Sequence, residues 1–178
     1  MDEFLEQLTK AIPTLRRYAY ALVRDSSLAD DLVQDCLEKG LAHRAQWRGE
    51  GNLKTWLYRI LSNIHLNQIR ADKGNFLKTS DTTSEAVLTA AEAQSPANQI
   101  DHLYLQDLEA AIAQLPEEQK QILLLICLEG FSYQEAAKTL ELPLGTVMSR
   151  LSRARETLRH KTSGTGTDEA AANIRRIK

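Results

Sequence analysis

Glycine and proline are scarce, eight and four in 178 residues, which leaves little of the turn chemistry that a protein of many short strands needs. Sustained alternation of Val, Ile and Thr with polar residues is missing, and so is any apolar run as long as a membrane span, so neither a sheet protein nor direct membrane insertion is expected. No charged-then-apolar signal segment opens the chain, and the expected location is cytoplasmic. Cysteine occurs only at Cys36 and Cys127, each on an apolar helical stripe. Both are expected to be buried free thiols, because no Cys/His cluster has ligand spacing. The four histidines are scattered at positions 43, 65, 102 and 160, His65 reading as a surface residue, and there is no glycine-rich phosphate loop or nucleophile motif. The expectation is therefore a protein with no enzymatic activity, no metal and no cofactor.

What is present is helical. With 43% hydrophobic and 26% charged residues, the chain reads as all-α and globular, divided into two small helical domains of modest core. The expected boundaries are 1–75 for the first domain, 76–99 for an acidic flexible linker, 100–160 for the second domain and 161–178 for a tail.

The most informative stretch is 129–160. Ser132 followed by Glu135 is a capping box, so a helix should begin there, carry Ala136, Ala137 and Leu140, and stop before Pro143. A second helix follows at once. On a wheel of 100° per residue, Val147, Leu151, Ala154 and Leu158 form one apolar stripe, with Ser149, Ser152, Arg153 and Glu156 opposite. Arg150 lies on one flank, and Met148, Arg155 and Arg159 on the other. Four arginines against one glutamate between Arg150 and Arg159 concentrate positive charge in a chain of net charge -2, where a merely solvated helix would mix its signs. Two short helices with a tight turn, the second presenting hydroxyls and guanidinium groups outward, have what is needed to enter a major groove and be held by phosphates.

Ser132 to Leu140 and Pro143 to Arg155 resemble region 4 of the sigma-70-type RNA polymerase sigma factors, the two-domain extracytoplasmic-function group above all. The resemblance implies that Thr146, Met148, Ser149, Arg150, Ser152, Arg153, Arg155 and Arg159 bind the promoter minus-35 element, and that the domain docks on the beta flap of the polymerase. Many members of that family carry a basic residue where Met148 stands; an apolar contact to a thymine methyl could replace it.

In the N-terminal part, residues 3 to 23 read as a helix with Phe4, Leu8, Ile12, Leu15, Ala19 and Leu22 inward, Arg16 and Arg17 outward, and a possible kink at Pro13. The next helix can be capped by Asp25, Ser26 or Ser27 and should carry Ala29, Leu32, Val33, Cys36, Leu37 and Leu41 inward. Its outer face is Asp31, Asp35 and Glu38, flanked by Asp30 and Gln34. The helix dipole accounts for acids in a first turn, but Asp35 and Glu38 continue the ridge beyond it, as a docking surface for a basic partner would.

After a loop over 43–52 comes a helix from Leu53 to about Arg70, with Leu53, Trp56, Leu57, Ile60, Leu61 and Ile64 as its core stripe. Arg59, Asn63, Asn67 and Arg70 share the opposite face. Asparagine is a poor helix former, so this face is either simply solvated or built for nucleic acid, where Asn reads base edges and Arg holds phosphates.

Ala29 to Asp35 resembles sigma region 2.2, which docks on the clamp of the beta-prime subunit; this would make Asp30, Asp31, Gln34, Asp35 and Glu38 the polymerase-binding residues. Trp47 to Glu50 and Thr55 to Ile60 resemble regions 2.3 and 2.4, which recognise and open the minus-10 element. That assigns Trp47, Arg48, Asn52, Arg59, Asn63, Asn67 and Arg70 to minus-10 DNA, with Trp47 and Asn52 lining a pocket for an unstacked base and Trp56 and Tyr58 divided between core and surface.

Periodicity fails from 71 to 99, and the second domain is expected to begin near Ile100, with Pro116 at the first position of its second helix and Gly130 ending that helix. Lysine and arginine outnumber or match acids at 11 to 10 over 1–75 and 6 to 6 over 111–160, but fall to 1 against 6 over 76–110. A chain so balanced binds nonspecific DNA weakly alone and relies on a larger partner. The resemblance implies a transcription initiation factor whose partners are core RNA polymerase, promoter DNA and an anti-sigma factor. Two alternatives are a sigma mimic that titrates an anti-sigma factor, which should have a degraded basic face, and a stand-alone helix-turn-helix regulator, which should carry a further ligand or dimerisation domain.

Overall fold

The structure is a computed structural model that describes residues 3–47, 52–76 and 96–162. Among these residues the chain is wholly helical: α1 (Glu3–Val23), α2 (Ser26–Ala42), a short 3-10 turn (Arg44–Gln46), α3 (Leu53–Phe76), α4 (Pro96–Ala113), α5 (Glu117–Cys127), α6 (Tyr133–Leu140) and α7 (Leu144–Thr162). The expected linker falls largely, and the tail almost wholly, on residues outside those described.

Helices α1, α2 and α3 pack on one another as a first bundle, and α4 to α7 form a second in which α7 touches α4, α5 and α6. Helix α1 runs unbroken through Pro13 and buries Phe4, Leu8, Leu15, Ala19 and Leu22 as its spacing requires, with Tyr18 joining them. Helix α2 begins at the Asp25 cap, whose carboxylate accepts from the Leu28 amide at 2.9 Å, and buries Ala29, Leu32, Val33 and Cys36. Leu41, expected inside, is instead 47% exposed, because the last turn of α2 presents the buried Gly40 to Leu57 and Trp56 of α3 and turns Leu41 away from them.

Helix α3 continues past Arg70 to Phe76, and α4 starts at Pro96 rather than near Ile100. Polar residues at both places hide the helical period, while backbone hydrogen bonding continues regardless. Pro116 occupies the N-cap of α5, one position before the expected one.

The two bundles are packed together, α3 against α6 and α1 against α5. Their contact corrects the reading of His65: it is 4% exposed, with Nε2 2.9 Å from Glu117 Oε2 across the contact. Ser62 and Tyr58 on the same side of α3 are also buried. Gln121, 2% exposed, donates to the Ser62 carbonyl at 3.4 Å.

Candidate polymerase and nucleic-acid interfaces

Burying one face of α2 leaves Asp30, Asp31, Gln34, Asp35 and Glu38 exposed on the other. They are not equivalent. Arg16 of α1 holds Asp30 through two bonds, Nε to Oδ1 at 2.7 Å and Nη2 to Oδ2 at 2.9 Å, and Gln34 donates to Glu38 at 3.0 Å. Asp31 and Asp35 have no cation partner among the described residues, which leaves their carboxylates for an external one. Behind the ridge, burial pushes the Cys36 thiol up to about 12, so it stays protonated, a packing group whose Sγ donates to the Leu57 carbonyl at 3.4 Å.

Helix α3 sets up a second surface. Leu53, Leu57, Leu61 and Ile64 are buried, and Trp56 and Ile60 partly so, which turns Arg59, Asn63, Asn67 and Arg70 to solvent together. Arg59 is engaged within the chain by an ion pair with Glu141, just beyond α6. Asn52 takes a structural part, its Oδ1 accepting from the Lys54 amide at 2.9 Å at the start of the helix. Trp47 is half-buried, with its ring 5.4 Å from that of Phe4, and its indole nitrogen is buried without a partner among the described residues. Arg48 lies outside the described residues.

The third surface is α7. Its Val147, Leu151, Ala154 and Leu158 are between 0% and 4% exposed, so the rotation of the helix follows from its apolar stripe. The α6 cap is the expected capping box: Ser132 Oγ accepts from the Glu135 amide at 3.2 Å, and Glu135 Oε2 accepts from the Ser132 amide at 2.8 Å. Glu141, in the left-handed region at φ 54°, then ends α6 and turns the chain into α7. Met148, Ser149, Ser152, Arg153, Glu156 and Arg159 are exposed, and Thr146, Arg150 and Arg155 intermediate. Ser149 Oγ rests on the Thr146 carbonyl at 3.1 Å. Arg150 bends toward α5 and pairs with Glu118 at 2.7 Å, which distinguishes it from the residues that stand outward without an ion pair. Arg153 has no ion pair among the described residues. Met148, Ser152, Arg155 and Arg159 border a shallow depression of about 500 Å³ with Tyr133 of α6.

Between the bundles lies a cluster that sequence reasoning missed. The Glu129 side chain has no exposed surface. It accepts from Tyr58 Oη at 2.6 Å and from Arg17 Nε at 3.0 Å, with Lys54 Nζ 3.7 Å away. Burial, and next the hydrogen bond it donates to this carboxylate, push the Tyr58 hydroxyl far above its ordinary range. Nearby, burial raises Glu117, but hydrogen bonds from His65 and Lys120 outweigh it and leave that carboxyl below its ordinary value.

Comparison with known proteins covers both bundles. The family described as Sigma-70, region 4 matches residues 105–158, and the Sigma2 domain of PhyR matches residues 8–62. The ECF RNA polymerase sigma factor EcfG of Rhodopseudomonas palustris is 32% identical over 157 residues, 88% of this chain and 83% of the relative. The ECF RNA polymerase sigma-E factor of Escherichia coli is 33% identical over 138 residues, 74% of this chain and 72% of the relative. Among solved structures, the sigma factor RpoE in complex with the anti-sigma factor NepR from Bartonella quintana aligns with a TM-score of 0.75 at 31% identity, covering 93% of this chain and 100% of that one. The anti-anti-sigma factor PhyR of the same organism, complexed with NepR, shares the fold at a TM-score of 0.58 and 17% identity, covering 88% of this chain and 49% of that one.

Proposed function

The chain belongs to the extracytoplasmic-function RNA polymerase sigma factors, which are transcription initiation factors, and from that premise we propose how its three surfaces divide the work. The acidic ridge of α2 docks on core polymerase, with Asp31 and Asp35 as the main anchors because no cation among the described residues neutralises them. The outward face of α3, Arg59, Asn63, Asn67 and Arg70, follows the minus-10 strand as it opens. Such opening needs no catalytic group, only capture of an unstacked base and a track for the backbone. Helix α7 reads the minus-35 element through Ser149, Ser152, Arg153 and Met148, while Arg155 and Arg159 hold phosphates.

The observation that carries this division is the rotation of α7. A stripe buried to 4% or less leaves hydroxyls and a guanidinium group standing outward on the opposite face, the arrangement a groove requires. Because the Bartonella quintana sigma factor is bound to an anti-sigma factor, we take this chain also to be held by one. Such a partner would act by occlusion, covering the α2 ridge and α7 together.

A second reading has one observation in its favour, the match of residues 8–62 to the Sigma2 domain of PhyR. A mimic of that kind would bind an anti-sigma factor without using a DNA-reading face. The exposed Ser149, Ser152 and Arg153 weigh for the promoter-reading form. Affinity for purified core polymerase separates the two. The sigma reading expects tight binding that Asp31→Lys with Asp35→Lys abolishes while helicity is kept; a mimic would leave core polymerase unbound, and unchanged affinity in the double variant would remove the docking assignment.

A further inference from the structure

Glu129 is unusual for a glutamate in a turn because its side chain is wholly buried. It follows α5, and Gly130, at φ 71°, reverses the chain immediately after it, a conformation that a side chain at that position would resist. The reversal brings Glu129 and Phe131 against the first bundle, where the Phe131 ring stands edge-on to Tyr58 with centroids 5.2 Å apart. Every side chain that binds the carboxylate comes from the other bundle: Arg17 from α1, Lys54 and Tyr58 from α3. Arg17 and Lys54 also reach the main-chain carbonyls of Leu128 and Glu129 at 3.3 Å and 3.4 Å.

We propose that Glu129 is a latch: its buried carboxylate holds the free chain in a closed form that cannot span a promoter, and the contact must break before both promoter elements are bound. The inference rests on the promoter-reading function proposed above. By their names, the two elements lie about 25 base pairs apart, or roughly 85 Å of duplex at 3.4 Å per pair. A compact chain of 178 residues has a radius of gyration of about 16 Å and hence a diameter near 40 Å. With α3 packed on α6, the minus-10 and minus-35 faces cannot reach both elements at once. Arg59, assigned to minus-10 DNA, is also occupied by Glu141 in this form.

A charged hub suits a switch better than an apolar seam does. Removing a carboxylate from water is costly and is offset only while its donors are all in place. Tyr58 is buried with it, but its two cations are not, since Arg17 and Lys54 are 54% and 33% exposed and keep access to water. Once the bundles separate, Glu129 is hydrated and the closed form loses its most specific contact in one step. The residues between Phe76 and Pro96 number 19 and permit a separation of up to about 65 Å.

Small-angle scattering on the free full-length chain tests the latch, with circular dichroism alongside. Glu129→Gln should raise the radius of gyration above the wild-type value by about a quarter or more, as for two small bodies drawn apart. Arg17→Met combined with Tyr58→Phe leaves the carboxylate in place without two of its donors and should produce the same expansion, so this pair decides the matter if Glu129→Gln loses helicity. An extended wild type, or variants that keep both helicity and the wild-type radius, would overturn the proposal. Expansion in a chain that never supports transcription with core polymerase would instead refute the promoter-reading function and leave the closed contact standing.

Discussion

Arg153→Ala isolates base reading from everything else α7 does. The residue is exposed on the face opposite Val147 and Leu151 and holds no ion pair among the described residues, so the folded chain loses almost nothing when it goes. Alanine is also at least as good a helix former as arginine, and the stability change should stay within about 0.5 kcal/mol. On DNA the effect is larger. A guanidinium bonded to a base edge contributes about 1 to 3 kcal/mol of discrimination, or roughly 5- to 150-fold in relative affinity. The loss should fall on one or two positions of the minus-35 element. Arg150→Ala is the internal control: its side chain is 27% exposed and bound to Glu118, a pair worth at most about 1 kcal/mol of stability, and sequence preference should not change. The assay is holoenzyme binding to a set of minus-35 variants, since a free subunit with balanced charge is expected to bind DNA too weakly to report. If Arg150→Ala shifted the preferred sequence and Arg153→Ala did not, the assigned rotation of α7 in the groove would be refuted.

Arg155→Ala and Arg159→Ala should weaken all promoters alike and reduce the salt dependence of holoenzyme binding by about one counterion each, measured as the slope against salt concentration. Ser132→Ala removes the acceptor of the Glu135 amide and should cost about 1 kcal/mol in urea denaturation. Glu117 is held below its ordinary value by His65 and Lys120. A depressed folded value means its contribution is present above the unfolded value and is lost as pH falls through the folded one, so stability should decline below about pH 4.5. Glu117→Gln should flatten that part of the stability profile, and an unchanged profile would show that the cluster contributes nothing.

The local rules in this chain are easy to read and the distant ones are not. Val147, Leu151, Ala154 and Leu158 announce their burial through spacing alone, and Ser132 with Glu135 announces a helix start, because both depend on neighbours within two turns. Glu129 pairs with Arg17 and Tyr58, 112 and 71 residues away, and no period or motif records such a partner. His65 is hidden for the same reason: a histidine on a helix facing away from its own bundle reads as solvated until a second bundle covers it. The outward faces of α2 and α3 were legible because the apolar stripes behind them were. Within those faces, the capture of Asp30 by Arg16 and of Arg59 by Glu141 depends on packing between helices. The start of α4 at Pro96 was marked by a proline at its first position, a signal hidden among the polar residues around it.

The most direct test of the central claim is transcription in vitro with purified core polymerase and this chain on a genomic DNA library. The account predicts initiation from a limited set of start sites that share an upstream minus-10 and minus-35 pair, absent with core polymerase alone and lost with Asp31→Lys and Asp35→Lys together. Transcripts no different from those of core polymerase alone, from a chain that nonetheless binds an anti-sigma factor, would contradict it.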